Sequence, residues 1–210
     1  LEGYARFRSS EWVSEREQWE KLGEGQSPKV MVIACSDSRV DPTQIFDTRP
    51  GEIFVVRNVA ALVPPFETTP GRHGVSGRHG VSAALEFAVQ FLKVEEILVM
   101  GHGYCGGCQA ALSRAMDGME PGEGGFIANW ISLLDEAQAK VAQTHGTHGD
   151  AAERAMEMEA VKVSLANLRT FPCVRQKEKS GELTLHGAVF AISDGLLRVL
   201  DETSGDFSAV

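Results

Sequence analysis

The stretch VMVIACSDSR, residues 30–39, joins five apolar residues to a cluster of reactive and charged side chains. Its apolar half is rich in β-branched residues, which predicts a strand buried on both faces of a parallel sheet. Its second half supplies Cys35, Asp37 and Arg39, which an extended backbone would send to one side. The stretch therefore predicts a buried strand that ends in a functional loop.

A second stretch repeats this arrangement, because the apolar run 97–100 leads into His102 and Cys105. Ligands of open α/β sheets collect at the carboxyl ends of strands, so the two loops are expected to meet. Two thiolates and one imidazole form a zinc ligand set that leaves one tetrahedral position open, as catalytic zinc sites do. We therefore predict one Zn²⁺ per chain, held by Cys35, His102 and Cys105.

The whole chain, residues 1–210, is predicted to form a single α/β domain, because apolar strand-like runs alternate with helix-like segments. We expect a mainly parallel central sheet of about four strands with a late antiparallel edge strand, flanked by helices. The expected strands are residues 30–34, 53–56, 97–100, 183–192 and 196–200. Residues 1–28, with their scattered aromatic side chains among many charges, are predicted to form an N-terminal helical arm.

Two helices are predicted from apolar patterns in the rest of the chain. The run 83–92 is strongly apolar, and Ser82 is expected to be its N-cap. A second helix carries apolar residues at three- and four-residue spacing and is expected to end at Pro172. Those residues are Ala155, Met158, Val161, Leu165 and Leu168.

Residues 71–82 form a tandem duplication, in which GRHGVS occurs twice without change. The unit is too short for a repeat architecture, so it is interpreted as a lengthened loop. We expect the second copy, residues 77–82, to lead into the apolar helix and the first copy to bulge out.

The net charge of −9 argues against nucleic acid or an anionic membrane as a partner, since both attract basic surfaces. No apolar run approaches the roughly 20 residues that cross a bilayer. The four cysteines are few for a disulfide scaffold, which favours metal or buried-thiol roles in a reducing compartment. A cytoplasmic location is therefore the expectation.

Four motifs taken together resemble the β-class carbonic anhydrases, and they occur in the order of that family. The likeness extends over about residues 4–200 and implies a zinc enzyme that interconverts CO2 and bicarbonate. It also implies a homodimer or a larger homo-oligomer. The motifs are CSDSR at 35–39, PGE at 50–52, RNVA at 57–60 and GHGYCGG at 101–107.

By this resemblance, Cys35, His102 and Cys105 match the zinc ligands, and Asp37 and Arg39 match the catalytic pair. Asp37, kept ionised by Arg39, is expected to accept a hydrogen bond from the hydroxide that attacks CO2. The family also has a closed form, in which the aspartate itself becomes the fourth zinc ligand. Asp37 is expected to do so only at low pH.

The resemblance also implies a substrate pocket that is shared between subunits. Its expected members are Gln26, Phe54, Val59, Phe87, Gly106 and Gly107. Family members with a regulatory bicarbonate pocket carry Trp and Tyr where this chain has Val32 and Phe190, although the third member, Arg57, is present. We therefore predict the open, unregulated type.

Three alternatives remain open from the sequence. The same fold could hydrolyse a sulfur analogue of CO2, or the chain could be a zinc-binding homologue whose duplication has impaired catalysis. Loop insertions cost little closure entropy, so a harmless extension is equally compatible with the repeat. Cys105 and Cys108 have the CxxC spacing of a redox pair, although Cys108 is expected to pack within a helix.

Overall fold

A computed structural model describes residues 1–67 and 79–210, in which six strands form one sheet. The strands are β1 Val30–Cys35, β2 Ile53–Asn58, β3 Glu96–His102, β4 Thr184–Phe190, β5 Leu197–Asp201 and β6 Asp206–Ala209. Their order across the sheet is β2-β1-β3-β4-β5-β6. The first four strands run parallel, and β5 and β6 join them antiparallel. The predicted mainly parallel sheet is confirmed.

One part of the predicted sheet is wrong, because β5 is not the edge. A further strand, β6, pairs with it and forms the edge instead. The pattern of β6 is weak because Phe207 is its main apolar residue and a short turn alone separates it from β5.

The strand order places β1 between β2 and β3, so the chain crosses to opposite sides of β1 in its first two crossovers. Cys35 is the last residue of β1 and lies beside Asn58 of β2, while His102 ends the neighbouring β3. The two sequence clusters therefore meet at the carboxyl edge of adjacent strands, where α/β sheets bind ligands.

Ten α-helices occur in the described parts of the chain. They are α1 Glu2–Ser9, α2 Glu11–Ser14, α3 Arg16–Leu22, α4 Pro42–Ile45, α5 His79–Glu86, α6 Gly106–Ser113, α7 Gly125–Ile131, α8 Asp135–His145, α9 Asp150–Leu168 and α10 Pro172–Ser180. A π-helical segment, Phe87–Leu92, continues α5, and 3₁₀ turns form at Val59–Ala61 and Ser132–Leu134. None of these helices has both the length and the apolar character of a membrane span.

Two predicted helix boundaries are wrong. Helix α5 begins at His79, so Ser82 lies inside the helix rather than at its N-cap. Val81, which precedes Ser82, is buried in the core, so residues 79–82 pack as part of the helix. The first copy, residues 71–76, lies outside the described residues. Helix α9 ends at Leu168, before Pro172. Pro172 instead occupies the first turn of α10, where the N–H that proline lacks would have no partner within the helix.

Side chains alternate between two cores along β1. Met31 and Ile33 belong to the large core under α5, α9 and α10, whereas Val32 and Ala34 face a smaller cluster on the opposite side. All four are buried, which confirms the expected burial of β1 on both faces.

Helix α9 packs closely on the sheet at two glycines. A Cβ at Gly101 would lie 2.9 Å from Val161 Cγ2, and one at Gly187 would lie 2.8 Å from Val161 Cγ1. Since real Cβ atoms do not approach this closely, both positions need glycine for α9 to reach this depth. The depth of α9 determines which of its side chains reach the carboxyl edge of β3.

The N-terminal arm, helices α1 to α3, packs loosely on the rest of the chain. No residue of these helices is buried, although Phe7, Trp12 and Trp19 lie among them. Their contacts are largely internal, such as the edge-on pair of Phe7 and Trp19 rings, with centroids 5.7 Å apart. The arm reaches the sheet layer through a hydrogen bond from Gln18 to the Pro50 carbonyl. The predicted helical arm is therefore present, as three short helices.

Candidate active site

Cys35, His102 and Cys105 come together at the carboxyl edge of β1 and β3. The two Sγ atoms and one ring nitrogen lie within 4.8 Å of one another, and all three residues are buried. Cys105 follows the end of β3 by three residues and is the N-cap residue of α6. The structure thus assembles the ligand set predicted from the two sequence clusters.

The imidazole of His102 is oriented for metal binding. Its Nδ1 lies 2.9 Å from the Gly103 carbonyl oxygen, and because a carbonyl only accepts, Nδ1 carries the proton in this bond. That tautomer leaves the lone pair on Nε2, which points into the cluster. Nε2 is buried and has no hydrogen-bond partner among the described residues. A buried acceptor left in this way fits a metal ligand.

The two thiols of the cluster also fit a dication. The neighbouring Cys105 thiol, together with burial, raises the pKa of Cys35 to about 12. Contact with the Cys108 thiol and burial likewise raise the pKa of Cys105. A divalent cation supplies the positive charge that lets both sulfurs deprotonate, and thiolates with imidazole are the donors that zinc prefers. The residues present therefore fit zinc.

Asp37 and Arg39 form an ion pair beside the cluster. Arg39 donates from Nε to Asp37 Oδ1 at 2.9 Å and from Nη2 to Oδ2 at 2.7 Å. The guanidinium holds the pKa of Asp37 well below its usual range, so this carboxylate is ionised at neutral pH. Asp37 Oδ2 lies 3.9 Å from His102 Nε2, which places the carboxylate at the cluster.

The backbone that brings these two side chains together is not extended, contrary to the prediction. Residues 38 and 39 form a turn after β1, and the Arg39 N–H donates to Asp37 Oδ1 at 2.9 Å. This short-range bond folds Arg39 back onto Asp37, as aspartates commonly do in loops. Arg39 Nη2 also donates to the Tyr104 carbonyl at 3.1 Å, which links the loop after β1 to the loop after β3.

Arg57 binds the backbone of the loop after β1. Its guanidinium donates to the carbonyl oxygens of Cys35 at 2.9 Å, Asp37 at 2.6 Å and Val40 at 3.3 Å. It also pairs with the Asp41 carboxylate at 3.3 Å. Sequence reasoning considered Arg57 only as a member of the regulatory bicarbonate pocket, because contacts to main-chain atoms leave no signal in side-chain patterns. Arg57 thus fixes the backbone that carries Cys35 and Asp37.

Arg57→Ala is expected to destabilise the fold by about 2 kcal/mol, because it leaves partly buried carbonyl oxygens without donors. Urea unfolding of the metal-free protein measures this loss. Arg16→Ala is the control, since the ion pair of Arg16 with Glu20 is exposed and contributes little. Equal unfolding midpoints for the two variants would contradict the role assigned to Arg57.

Val59 and Gly107 lie together at the carboxyl edge, as two members of the predicted pocket. A Cβ at Gly107 would lie 2.7 Å from Val59 Cγ1, so glycine allows the start of α6 to approach the 3₁₀ turn. Asn58 closes this turn, because its side chain donates to the Leu62 carbonyl and accepts the Leu62 N–H. Gly106 begins α6, directly after the Cys105 ligand.

The other predicted pocket members lie away from the cluster of their own chain. Phe54 is paired with Met31, four residues before Cys35, which is about 13 Å along the strand. The Phe54 and Phe87 rings are 6.0 Å apart, and Phe91 stacks on Phe87 at 5.7 Å. Gln26 is exposed in the loop before β1. One chain therefore does not bring all predicted pocket residues together.

Two of the three positions of the family's regulatory pocket are apolar in this chain. Val32 belongs to the small core cluster on the second face of the sheet, and Phe190 packs against that cluster. Arg57, as described above, is occupied by the loop after β1. The predicted open, unregulated type stays a prediction.

Cys108 and Glu157 are two further groups at the cluster. The Cys108 side chain is buried in α6 and contacts the Cys105 thiol. Glu157 of α9 is also buried, and burial raises its pKa to about 7. Its spacing of four, eight and eleven residues before Val161, Leu165 and Leu168 is the signal that could have placed it on the buried face of α9.

Comparison with known proteins gives consistent matches. Residues 30–197 match a family model described as "Carbonic anhydrase". Beta carbonic anhydrase 5, chloroplastic, from Arabidopsis thaliana is 36% identical over 189 residues, which cover 90% of this chain and 59% of that protein. The chain spans about three fifths of the length of the curated Arabidopsis relatives that it matches.

Solved structures give the same result. The β-carbonic anhydrase CcaA superposes with a TM-score of 0.89 at 30% identity, over 100% of this chain and 89% of that one. A β-carbonic anhydrase of the ascomycete Sordaria macrospora, described as tetrameric, superposes with a TM-score of 0.74 at 28% identity. That match covers 94% of this chain and 95% of the fungal chain.

Proposed function

The chain belongs to the β-class carbonic anhydrase family, and on this premise we propose that it catalyses the reversible hydration of carbon dioxide to bicarbonate with one zinc ion per chain. The observation that carries the proposal is the buried cluster of Cys35, His102 and Cys105 at the carboxyl edge of two adjacent strands. The two Sγ atoms and His102 Nε2 would hold the zinc ion. When bound, zinc acidifies a water molecule and so supplies a nucleophile near neutral pH.

Asp37 and Arg39 orient the reacting water in this proposal. Both oxygens of the Asp37 carboxylate are hydrogen-bonded to Arg39, so the side chain has one fixed orientation beside His102. An ionised carboxylate accepts a hydrogen bond from the water and thereby directs the lone pair of the water oxygen. The pairing with Arg39 supports the open type, because a carboxylate engaged in this way is held back from the metal position.

The direct test is stopped-flow CO2 hydration by the zinc-loaded protein, with carbonyl sulfide and carbon disulfide as competing substrates. We expect turnover of CO2 and none of the sulfur analogues. Stoichiometric zinc without CO2 turnover would instead favour an impaired homologue, and turnover of a sulfur analogue alone would favour a hydrolase.

The pocket for CO2 is proposed to be completed by a second copy of the chain. The row of Phe54, Phe87 and Phe91 supports this, because Phe91 is 73% exposed and Phe87 is 43% exposed although their rings stack. The loosely packed arm supports it too, since its aromatic residues lack buried positions within the chain. Gln26, Phe54 and Phe87 would then face CO2 beside Val59, Gly106 and Gly107.

Sedimentation of the purified protein tests the assembly, and a homodimer or a larger homo-oligomer is expected, as in the tetrameric fungal relative. Phe91→Ser is expected to shift the protein towards monomer, because it removes an exposed ring from the stacked row. A wild-type monomer with full hydration activity would contradict a shared pocket.

The duplicated segment, residues 71–82, is proposed to be a tolerated loop extension. A variant lacking residues 71–76 is expected to keep the same hydration rate and the same elution volume, because closing a longer loop costs little. A higher rate or a changed assembly in the shortened variant would show that the first copy disturbs the pocket or the subunit contact.

A location in the cytoplasm stays a prediction from cysteine usage. The Arabidopsis relative carries the name chloroplastic, so an organelle is the alternative that the comparison raises. Fractionation of source cells with an antibody against the chain distinguishes the two compartments.

A further inference from the structure

Glu157 is a buried carboxylate beside the cluster of Cys35, His102 and Cys105. Its exposure is 3%, and the other buried polar side chains of the described residues, His102, Gln138 and Ser164, are not carboxylates. No lysine, arginine or histidine nitrogen in the described ranges forms an ion pair with it, and Arg154 one turn away acts only through its charge at longer range. Burying a carboxylate without a paired cation is costly, so its presence calls for a physical reason.

The carboxylate of Glu157 binds the turn that presents a zinc ligand. Its Oε1 accepts the backbone N–H of Cys105 at 3.1 Å. Tyr104 has φ 58°, a left-handed conformation that a bulky residue seldom adopts. Such a conformation persists only where the surroundings hold it. Arg39 binds the Tyr104 carbonyl, and Glu157 binds the adjoining N–H of Cys105.

The chain places Glu157 there through the close packing of α9 on β3. Gly101 allows this approach, since a Cβ at that position would lie 3.6 Å from the Glu157 carbonyl oxygen and closer still to Val161. The result is that one helix of the large core reaches the loop of His102 and Cys105 with a carboxylate.

A neutral amide could accept the same hydrogen bond without the cost of a buried charge. A carboxylate differs from that amide by its negative charge, which is favourable beside a cation, and the Cys105 residue that it binds belongs to a site that fits zinc. We propose that Glu157 is a positioning residue for the metal: its hydrogen bond holds the Tyr104–Cys105 turn, and its charge offsets that of the bound ion. This inference rests on the proposed zinc function.

The test compares Glu157→Gln and Glu157→Ala with the wild-type protein in two measurements without substrate. Zinc affinity is measured by competition with a chromogenic chelator, and the stability of the metal-free protein is measured by urea unfolding. Glu157→Gln is expected to bind zinc about 10-fold more weakly, and Glu157→Ala about 100-fold, in the range found for groups that support metal ligands. Metal-free Glu157→Gln is expected to be at least as stable as wild type, because it buries no charge.

Cobalt substitution gives an independent readout of Cys105. The thiolate-to-cobalt absorption band of Glu157→Ala is expected to weaken relative to wild type, because Cys105 Sγ is no longer held at the metal. Glu153→Ala is the matched control, since Glu153 lies one turn earlier on α9 and accepts a hydrogen bond from Gln109 rather than from a ligand. It should leave zinc affinity and the cobalt spectrum unchanged.

Two results would overturn the inference. One is a zinc affinity and cobalt spectrum of Glu157→Gln equal to those of wild type. The other is a loss of metal-free stability in Glu157→Gln that parallels its loss of affinity, which would indicate a structural role alone. If Glu157→Ala does not fold, Glu157→Gln still decides the question. A wild-type protein without zinc would instead overturn the proposed function.

Discussion

Cys105→Ser is expected to weaken zinc binding and to lower CO2 hydration together. Structural zinc sites bind with about 10–16 kcal/mol, and one ligand of three contributes about a third of a comparable total. The loss of about 3–5 kcal/mol corresponds to zinc binding weakened by roughly 10²- to 10⁴-fold. Zinc content after gel filtration and stopped-flow hydration measure both effects. The same result is expected for Cys35→Ser and for His102→Ala.

A matched cysteine control separates metal binding from general effects of losing a thiol. Cys173 lies in α10, is only partly buried and takes no part in the cluster. Cys173→Ser should therefore retain stoichiometric zinc and wild-type turnover. Full activity in any of the three ligand variants would refute the zinc site as described.

Arg39→Ala is expected to lower CO2 hydration by about 10- to 100-fold while zinc content stays unchanged. The reason is that Asp37 loses the two hydrogen bonds that fix both of its oxygens beside the cluster. Asp37→Asn is expected to have an effect of similar size, because it removes the negatively charged carboxylate that accepts the hydrogen bond from the water. Stopped-flow rates with metal analysis of the same samples measure this.

The double variant, Asp37→Asn with Arg39→Ala, shows whether the pair acts as one unit. Its loss should be close to that of either single variant, since a pair that works together shows strongly non-additive effects. Asp117→Asn serves as the control, because Asp117 forms an exposed pair with Arg114 away from the cluster. Additive losses in the double variant would mean that Asp37 and Arg39 act independently.

The sequence predicts the sheet and the ligand set well because both have strong local patterns. Apolar runs identify β1 and β3, and the rule that ligands meet at the carboxyl ends of parallel strands brings Cys35 to His102. Weak local patterns account for what it misses. The edge strand β6 has little apolar character, and Pro172 is compatible both with ending one helix and with beginning another.

The supporting contacts of the site are harder to predict because they join main-chain atoms to distant side chains. Arg57 binds carbonyl oxygens across 17 to 22 residues of sequence, and Glu157 binds an amide 52 residues away. Neither contact depends on the identity of the residue that supplies the backbone atom, so no pattern of residue types reveals it. The folded chain is needed to find them.

The contacts of Arg57 also indicate where this protein tolerates redesign. Three of its four acceptors are backbone oxygens, and every amino acid carries such an oxygen. Ser36 and Ser38, which alternate with the functional residues of the loop, can therefore be randomised without removing an acceptor of that guanidinium. A combinatorial library at these two positions offers a way to vary the side chains near the cluster of Cys35, His102 and Cys105 while the backbone that carries the cluster stays in place.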